Sequence, residues 1–353
     1  MIKVLVVDDS AVAREVLTHL INQAPDMSVI GIARDGLEAV EAAQRLRPDI
    51  ITMDIIMPRL GGPEAIERIM QVAPTPIVVV TGNTITEEIR ATFQSLESGA
   101  LAIVERPFGL DSAHHRESAE HLINTLRLMS EIKVVRRLLR RTPRTPASPT
   151  IDNPPPSQVF RAVAMGASTG GPSVLKTILS ELPGNFPVPI LVVQHIAPGF
   201  VSGFASWLAD SAALTVKLAE AGEPLLPGRV YVAPDGVHLG VSPGERAHLS
   251  APAPGTSTTL CPSASHLFHS VATVYGRHAV GILLTGMGRD GADGLLAMKR
   301  AGGITMVQDK ESSVIHGMPG EAISLNAAGY VLPPRRIAEL LVSLASAAYP
   351  HTS

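Results

Sequence analysis

The chain has 353 residues, of which 45% are hydrophobic and 17% charged, and its formal net charge is −3. This length exceeds what one hydrophobic core usually serves, so we expect two domains. The charge balance argues against a protein built to bind nucleic acid, and no apolar stretch approaches the ~20 residues that would span a bilayer. With Cys261 as the only cysteine and no signal-peptide core, we expect a cytoplasmic protein without membrane insertion.

The first 130 residues alternate short β-branched apolar runs with segments of helical period, a pattern typical of a parallel sheet covered by helices. One helix is predicted over Ala11–Ile21, with Val12, Val16 and Leu20 on its apolar face. The predicted strands are Ile2–Val7, Val29–Ala33, Ile50–Met53, Ile77–Val80 and Leu101–Val104. Five strands and about five helices fit one α/β domain.

Polar side chains follow the predicted strands of this domain. Asp8 and Asp9 end the first strand, Asp54 ends the third, Thr81 ends the fourth and Arg106 follows the fifth. Because the carboxyl ends of parallel strands meet at one edge of a sheet, we expect these side chains to share one acidic pocket. Clustered carboxylates repel one another unless a hard cation joins them, and their oxygens suit Mg2+.

A linker rich in Pro, Ser and Thr is predicted over residues 131–158, because such a segment cannot bury a core. Its basic residues are Lys133, Arg136, Arg137, Arg140, Arg141 and Arg144. Two interpretations remain open for this charge: a solvated helix end, or a docking segment for an acidic partner.

The alternation resumes after the linker and predicts a second, doubly wound α/β domain with a mostly parallel sheet. The turn Asp235–Gly236 predicts a hairpin inserted in this sheet. Two amphipathic helices are predicted from Val174, Ile178 and Leu182, and from Phe200, Phe204 and Trp207. The predicted strands are Arg161–Met165, Ile190–Val193, Val230–Ala233, Val280–Leu284 and Ile304–Val307.

A glycine-rich loop, "MGASTGGP", joins the first strand of this domain to the next helix. It fits neither phosphate-binding glycine pattern, since no lysine follows Gly170 and Gly171 in the turn. It does match G-x-S-x-G, a strand-to-helix elbow that exposes a serine hydroxyl, here Ser168. A tight turn that needs only small residues remains the alternative.

Ser168, His195 and Asp290 each follow a predicted strand, where the reactive crevice of an open α/β sheet lies. A hydroxyl, an imidazole and a carboxylate at one sheet edge favour a serine hydrolase. Their order along the chain differs from that of an α/β-hydrolase. His266 and His269 lack a third ligand at local spacing, so we interpret them as packing or surface residues.

Both halves resemble the chemotaxis response-regulator protein-glutamate methylesterases. The resemblance covers nearly the whole chain and implies a flavodoxin-like receiver domain at 1–130, the linker at 131–158 and a catalytic domain at 159–349. It rests on "VLVVDDS", "DIITMDIIMPRLGG", "GALAIVERP", "MGASTGGPSVL", "VVQHIAPGF", "EPLLPGRVYVAPDGVHL", "ILLTGMGRDGADGLLAM" and "VQDKESSVIHGMP".

The resemblance implies ester hydrolysis on methylated glutamates of chemoreceptor cytoplasmic helices, with release of methanol, and deamidation of some glutamines. Ser168 is the implied nucleophile, His195 the base and Asp290 its partner. The backbone N–H groups of Thr169 and Met287 are candidates for the oxyanion hole. The catalytic domain is expected to need no cofactor.

In the receiver domain the resemblance implies that Asp54 accepts phosphate from a chemotaxis-type histidine kinase. Asp8, Asp9 and Asp54 are the implied Mg2+ ligands, and Thr81 and Arg106 are the implied phosphate sensors.

The sequence departs from its family at three positions. Arg106 stands where the family has Lys, Ile103 where it has an aromatic residue, and Gly320 where it has Arg. These changes leave open how strongly phosphorylation activates the enzyme and which receptors, in a motility pathway or another, are its substrates. A DNA-binding regulator and a binding protein with an inactive esterase domain are the alternatives.

Overall fold

The computed structural model describes residues 1–82, 86–107, 113–132, 134, 159–252 and 260–349. Two compact units divide the chain, residues 1–148 and 149–353. This division falls within the predicted linker, whose residues 133 and 135–158, with their six basic side chains, lie outside the described residues.

The first unit is a five-stranded parallel sheet in the order β2-β1-β3-β4-β5. This order is the flavodoxin-like one, in which the reactive crevice lies at the carboxyl ends of β1, β3 and β4. The strands are β1 Ile2–Val7, β2 Met27–Ala33, β3 Ile50–Met53, β4 Ile77–Thr81 and β5 Ala102–Glu105. The helices are α1 Ala11–Gln23, α2 Gly36–Leu46, α3 Gly62–Val72, α4 Thr86–Ser98 and α5 Ala113–Ser130.

Helix α1 begins at Ser10, whose side chain accepts a hydrogen bond from the backbone N–H of Ala13 and so caps the first turn. Its buried residues are Ala13, Leu17 and Ile21. The predicted apolar face is therefore wrong by one residue along the helix, and Val12 is 70% exposed. The physical reason is that this helix carries two apolar rows, and only packing on the sheet decides which one is buried.

The second unit contains a seven-stranded sheet in the order β14-β13-β12-β6-β7-β9-β8, in which every neighbouring pair is parallel. The strands are β6 Ala162–Ala167, β7 Ile190–Gln194, β8 Thr215–Leu218, β9 Arg229–Val232, β10 His238–Ser242, β11 Arg246–Ser250, β12 Ala279–Leu283, β13 Ile304–Gln308 and β14 Tyr330–Leu332. The helices are α6 Gly171–Ser180, α7 Val201–Ala209, α8 Ala264–Tyr275, α9 Ala292–Arg300, α10 Gly317–Ser324 and α11 Pro334–Ala348.

The hairpin of this unit is real, but the turn predicted for it is wrong. β10 and β11 pair antiparallel as a separate two-stranded sheet, and Gly244 lies in their connection with a φ of 84°. Asp235–Gly236 only links β9 to β10. β10 cannot join the large sheet next to β9, because β7 and β8 already occupy both edges of that strand.

The predicted apolar faces of α6 and α7 are confirmed. All six of their predicted apolar side chains are buried: Val174, Ile178, Leu182, Phe200, Phe204 and Trp207. Burial of these faces holds both helices against the sheet and keeps the loops at its carboxyl edge in place. None of the helices in the described part of the chain combines the length and apolar character that crossing a bilayer requires.

Candidate functional site

Ser168 lies in a tight connection between β6 and α6. Its backbone N–H donates to the carbonyl of Thr285 over 3.0 Å, and its carbonyl accepts from the N–H of Gly171 over 2.8 Å. Gly170 has a φ of 79°, and a Cβ there would lie 2.6 Å from the Cβ of Val314. Only glycine fits this position, so the loop has the strand-to-helix geometry of a nucleophile elbow.

His195 follows β7, the neighbour of β6, and its backbone N–H donates to the carbonyl of Ala167 over 2.9 Å. Asp290 lies in the loop after β12, on the other side of β6. The Nε2 of His195 lies 2.9 Å from the Oδ2 of Asp290, and both side chains are nearly buried, with 10% and 12% exposure. The structure thus joins two of the three predicted residues directly and places Ser168 directly after β6, the strand that lies between β7 and β12.

The contact between His195 and Asp290 uses Nε2, which leaves Nδ1 as the imidazole nitrogen available to Ser168. Among the described residues the Ser168 hydroxyl makes no hydrogen bond to His195. Catalytic hydrogen bonds of this kind are often long in a free enzyme and tighten when substrate binds.

Asp290 is held by the N-terminus of α8, a feature that the sequence reasoning missed. Its Oδ1 accepts from the Ser263 hydroxyl over 2.7 Å and from the Ser265 N–H over 3.2 Å, and its Oδ2 accepts from the Ala264 N–H over 2.6 Å. Burial alone would raise the pKa of Asp290, but these bonds and the one from His195 together lower it below its ordinary value. Asp290 therefore stays ionised and can stabilise an imidazolium at His195.

Sequence signals for this cradle exist only in part. Ser263 precedes an apolar helical run, which is the pattern of a helix N-cap, and its side chain also accepts from the N–H of His266. Nothing in the sequence connects that cap with a carboxylate in a distant loop.

Thr169 and Met287, the predicted oxyanion donors, lie on two loops that meet around Ser168. Both residues are half-buried. The loop of Met287 passes close to the nucleophile, since a Cβ on Gly286 would lie 2.6 Å from the Cβ of Ser168. In the described part of the chain, the backbone N–H groups of Thr169 and Met287 donate to no acceptor.

His266 and His269 make contacts typical of packing and surface residues. The ring of His266 stacks on that of His238 at 4.7 Å between centroids. His269 is exposed and pairs with Asp293 over 3.2 Å.

The first unit carries an acidic pocket at the carboxyl edge of its sheet. Asp8 and Asp54 are buried and Asp9 is exposed, and their oxygens lie within 4.8 Å of one another. The Nη2 of Arg106 lies 2.7 Å from Asp8 Oδ2 and 3.2 Å from Asp54 Oδ1. Arg106 therefore partly neutralises the two buried carboxylates.

Burial and the neighbouring charge of Asp8 raise the pKa of Asp54 to about 6, although Arg106 opposes this shift. Burial also raises the pKa of Asp8. Three converging carboxylates with incompletely balanced charge form an all-oxygen donor set, which fits a small divalent cation. A cavity of about 170 Å³ opens beside them and is lined by Asp9, Asp54, Ile55, Ile56, Thr81, Gly82 and Arg106.

Thr81 is buried at the end of β4 and lines this cavity. Ile103 lies half-buried in β5. The sequence reasoning missed Arg14, whose Nη1 donates to the carbonyls of Asp8 and Asp9 over 2.8 Å each. This guanidinium holds the backbone that presents the acidic pair.

Comparisons with known proteins identify the family. A family model described as CheB methylesterase matches residues 163–341, and one described as response regulator receiver domain matches residues 4–116. A protein-glutamate methylesterase/protein-glutamine glutaminase 1 from Syntrophus aciditrophicus (strain SB) is 49% identical, over 99% of this chain and 100% of that protein. The chain belongs to the CheB methylesterase family.

Other members of the CheB methylesterase family are similarly close. The protein-glutamate methylesterase/protein-glutamine glutaminase of Nitrosospira multiformis is 50% identical, over 98% of this chain and 97% of that protein. The Thermotoga maritima CheB methylesterase catalytic domain, known from a crystal structure, is 40% identical in sequence. Its structure matches this one with a TM-score of 0.51, over 52% of this chain and 98% of that one. The predicted family, fold class and enzyme class are confirmed.

Proposed function

We propose that this protein is a cytoplasmic protein-glutamate methylesterase and protein-glutamine glutaminase that acts on chemoreceptor helices under the control of a histidine kinase. The single observation that carries the chemistry is the contact of 2.9 Å between His195 Nε2 and Asp290 Oδ2 beside the Ser168 elbow. The names of the two relatives supply the substrate class.

The reaction begins with the attack of Ser168 Oγ on the carbonyl carbon of a glutamate methyl ester. Nδ1 of His195 takes the serine proton, while Asp290 holds the Nε2–H and stabilises the charged ring. Collapse of the tetrahedral intermediate breaks the C–O bond, and His195 returns the proton to the departing methoxide, which leaves as methanol.

Water then attacks the acyl-enzyme with His195 again acting as base, and the glutamate carboxylate and free Ser168 are regenerated. A glutamine side chain enters the same sequence with ammonia as the leaving group. One water is consumed for each methanol or ammonia released, and the reaction needs no redox cofactor.

The negative oxygen of each tetrahedral intermediate needs preorganised donors. The N–H groups of Thr169 and Met287 are suited to this task, because neither has an acceptor in the described part of the chain. Helix α6 also begins three residues after Ser168 and directs its positive end towards the loop.

The receiver domain supplies the control. Asp54 accepts the phosphoryl group. Asp8, Asp9 and Asp54 would hold Mg2+, which would neutralise carboxylate and phosphoryl charge. Thr81 and Arg106 contact the added phosphate, because both line the cavity beside Asp54. Phosphorylation changes the esterase activity only if these contacts differ between the phosphorylated and the unphosphorylated receiver.

The test is methanol release from membranes that carry methylated chemoreceptors, measured with and without a small phosphodonor. Ser168→Ala is expected to lower turnover by a factor on the order of 10⁴ to 10⁶, and Asp54→Asn to abolish only the stimulation by the phosphodonor. Residual activity of Ser168→Ala above a few per cent of the parent would contradict the nucleophile assignment. A specific DNA shift in a gel assay without esterase activity would favour the regulator alternative.

A further inference from the structure

Gln194 is a buried residue that the reaction scheme leaves unused. It ends strand β7, directly before His195, and only 3% of its surface is exposed. Its Nε2 donates two hydrogen bonds, one to the carbonyl of Ser168 and one to the carbonyl of His195, each over 2.8 Å. One amide nitrogen thus contacts the main chain of both residues.

These two bonds connect loops that the sheet joins only up to its edge. β6 and β7 pair in register through Ala167 and Gln194, and the last ladder bond runs from the His195 N–H to the Ala167 carbonyl. Beyond that point each chain turns away into its own loop. Beyond the sheet, the Gln194 amide is the next hydrogen-bonded connection between the loop of Ser168 and the loop of His195.

The oxygen of the same amide gains nothing from this orientation of the side chain. Its Oε1 has no hydrogen-bond partner among the described residues, although it is buried. It lies so close to the first turn of α6 that a Cβ on Gly171 would be 2.2 Å away. A buried acceptor without a partner is unfavourable. The two hydrogen bonds that Nε2 donates are the favourable contacts that this orientation of the side chain provides.

We propose that Gln194 is a positioning residue that sets the separation of the nucleophile Ser168 and the base His195. This inference rests on the proposed function. Reaction rates respond steeply to such placement, because a misplacement of ~1 Å can lower turnover by about 10²-fold. The Gln194 side chain bonds main-chain carbonyls and contacts neither the Asp290 carboxylate nor a reacting atom. It therefore acts on the reaction through the placement of Ser168 and His195.

The chain contains a matched control in Gln308. It also ends a five-residue strand of the same sheet, β13, and is fully buried. Its Oε1 accepts from the Thr285 N–H and its Nε2 donates to the Ser312 carbonyl, each over 2.9 Å, so it reaches Ser168 only through Thr285 and contacts neither His195 nor Asp290. Methionine is similar in size to glutamine, so replacing either residue by methionine removes a buried amide with little change of volume.

The experiment compares Gln194→Met and Gln308→Met in the full chain. Methanol release gives kcat and KM, the rate of covalent labelling by a fluorophosphonate reports the reactivity of Ser168, and thermal unfolding reports the cost to the fold. We expect Gln194→Met to lower kcat and the labelling rate together by about 10- to 100-fold, with KM within about twofold of the parent. Gln308→Met is expected to unfold at a similarly lowered temperature, with kcat within about threefold of the parent.

Equal losses of kcat in the two variants would overturn the proposal, as would a raised KM with unchanged kcat for Gln194→Met. If Gln194→Met does not fold, Gln194→Leu also removes both donors without burying a charge, and the same expectations apply. A parent that releases no methanol would contradict the proposed substrate alone, since the labelling rates still decide the role of Gln194. A parent that does not react with the probe would overturn both the nucleophile and this inference.

Discussion

Ser263 donates its hydroxyl to Oδ1 of Asp290 over 2.7 Å, across 27 residues of sequence. The same hydroxyl oxygen accepts from the His266 N–H and caps α8. One side chain therefore caps the N-terminus of α8 and also binds the carboxylate that orients His195. The two bonds thus couple the stability of α8 to the placement of the catalytic carboxylate.

Ser263→Ala is expected to lower kcat by about tenfold, because Asp290 loses one of its four donors and its hold on His195 weakens. The lost cap is expected to cost about 1 kcal/mol of unfolding free energy. Ser263→Thr keeps a hydroxyl and serves as the control, with activity near that of the parent. Equal kcat in Ser263→Ala and the parent, measured by methanol release, would show that the backbone donors of α8 suffice.

The same substitution is expected to change the acid stability of the catalytic domain. The folded pKa of Asp290 lies below its unfolded value, so its contribution to stability is present above about pH 4 and is lost as the pH falls. Removing the Ser263 bond raises the folded pKa towards the ordinary value. Acid unfolding followed by circular dichroism is therefore expected to begin at a higher pH in Ser263→Ala than in Ser263→Thr.

Asp54 is expected to show the opposite dependence. Its folded pKa of about 6 lies above the ordinary 3.8, so its stability contribution is present below about pH 4 and is lost as the pH rises through 6. At pH 7.5 without divalent cations, Asp54→Asn is expected to stabilise the receiver, by roughly 3 kcal/mol at most. Calorimetry of the full chain measures this gain, and addition of Mg2+ is expected to stabilise the parent more than the variant. A variant that unfolds at or below the parent's temperature would refute the effect of the buried charge.

Arg106 is expected to make the phosphorylation switch shallow. A guanidinium is planar and prefers two acceptors, and here its Nη2 already contacts both Asp8 and Asp54. Phosphorylation adds roughly −1.5 to −2 charges, but the switch gains only from contacts that differ between states. Stimulation by a phosphodonor is expected to be larger in Arg106→Lys, and larger again in the double variant with Ile103→Phe. If the parent already shows a large stimulation that neither variant exceeds, Arg106 is a competent replacement for lysine.

Helix α1 offers a test of the corrected apolar face. Leu17 is 1% exposed and Val12 is 70% exposed. Leu17→Ala is expected to cost about 2–5 kcal/mol of unfolding free energy, since it leaves a cavity under the helix. Val12→Ala is expected to change it by less than about 0.5 kcal/mol, and chemical denaturation of both variants measures the difference. A larger loss in Val12→Ala than in Leu17→Ala would mean that the helix packs through the face predicted from the sequence.

Much of both sites follows from local patterns. Strands that alternate with helices predict parallel sheets, and the residues after each strand then share one edge. On that ground Asp8, Asp54 and Arg106 could be expected to meet, as could His195 and Asp290. The glycines around Ser168 likewise predict a tight turn before a helix. These features depend on periodicity and chain order, which the sequence states directly.

Four other features depended on contacts between distant segments. The buried face of α1 was decided by packing on the sheet, and the place of the hairpin by strands that already flank β9. The cradle of Asp290 and the amide of Gln194 were decided by which loops meet at the edge of the large sheet. The sequence alone determined the family, the two α/β folds and the candidate reactive groups. Only the tertiary structure decided which donors hold those groups, because a hydrogen bond requires two atoms within about 3 Å, whatever their separation along the chain.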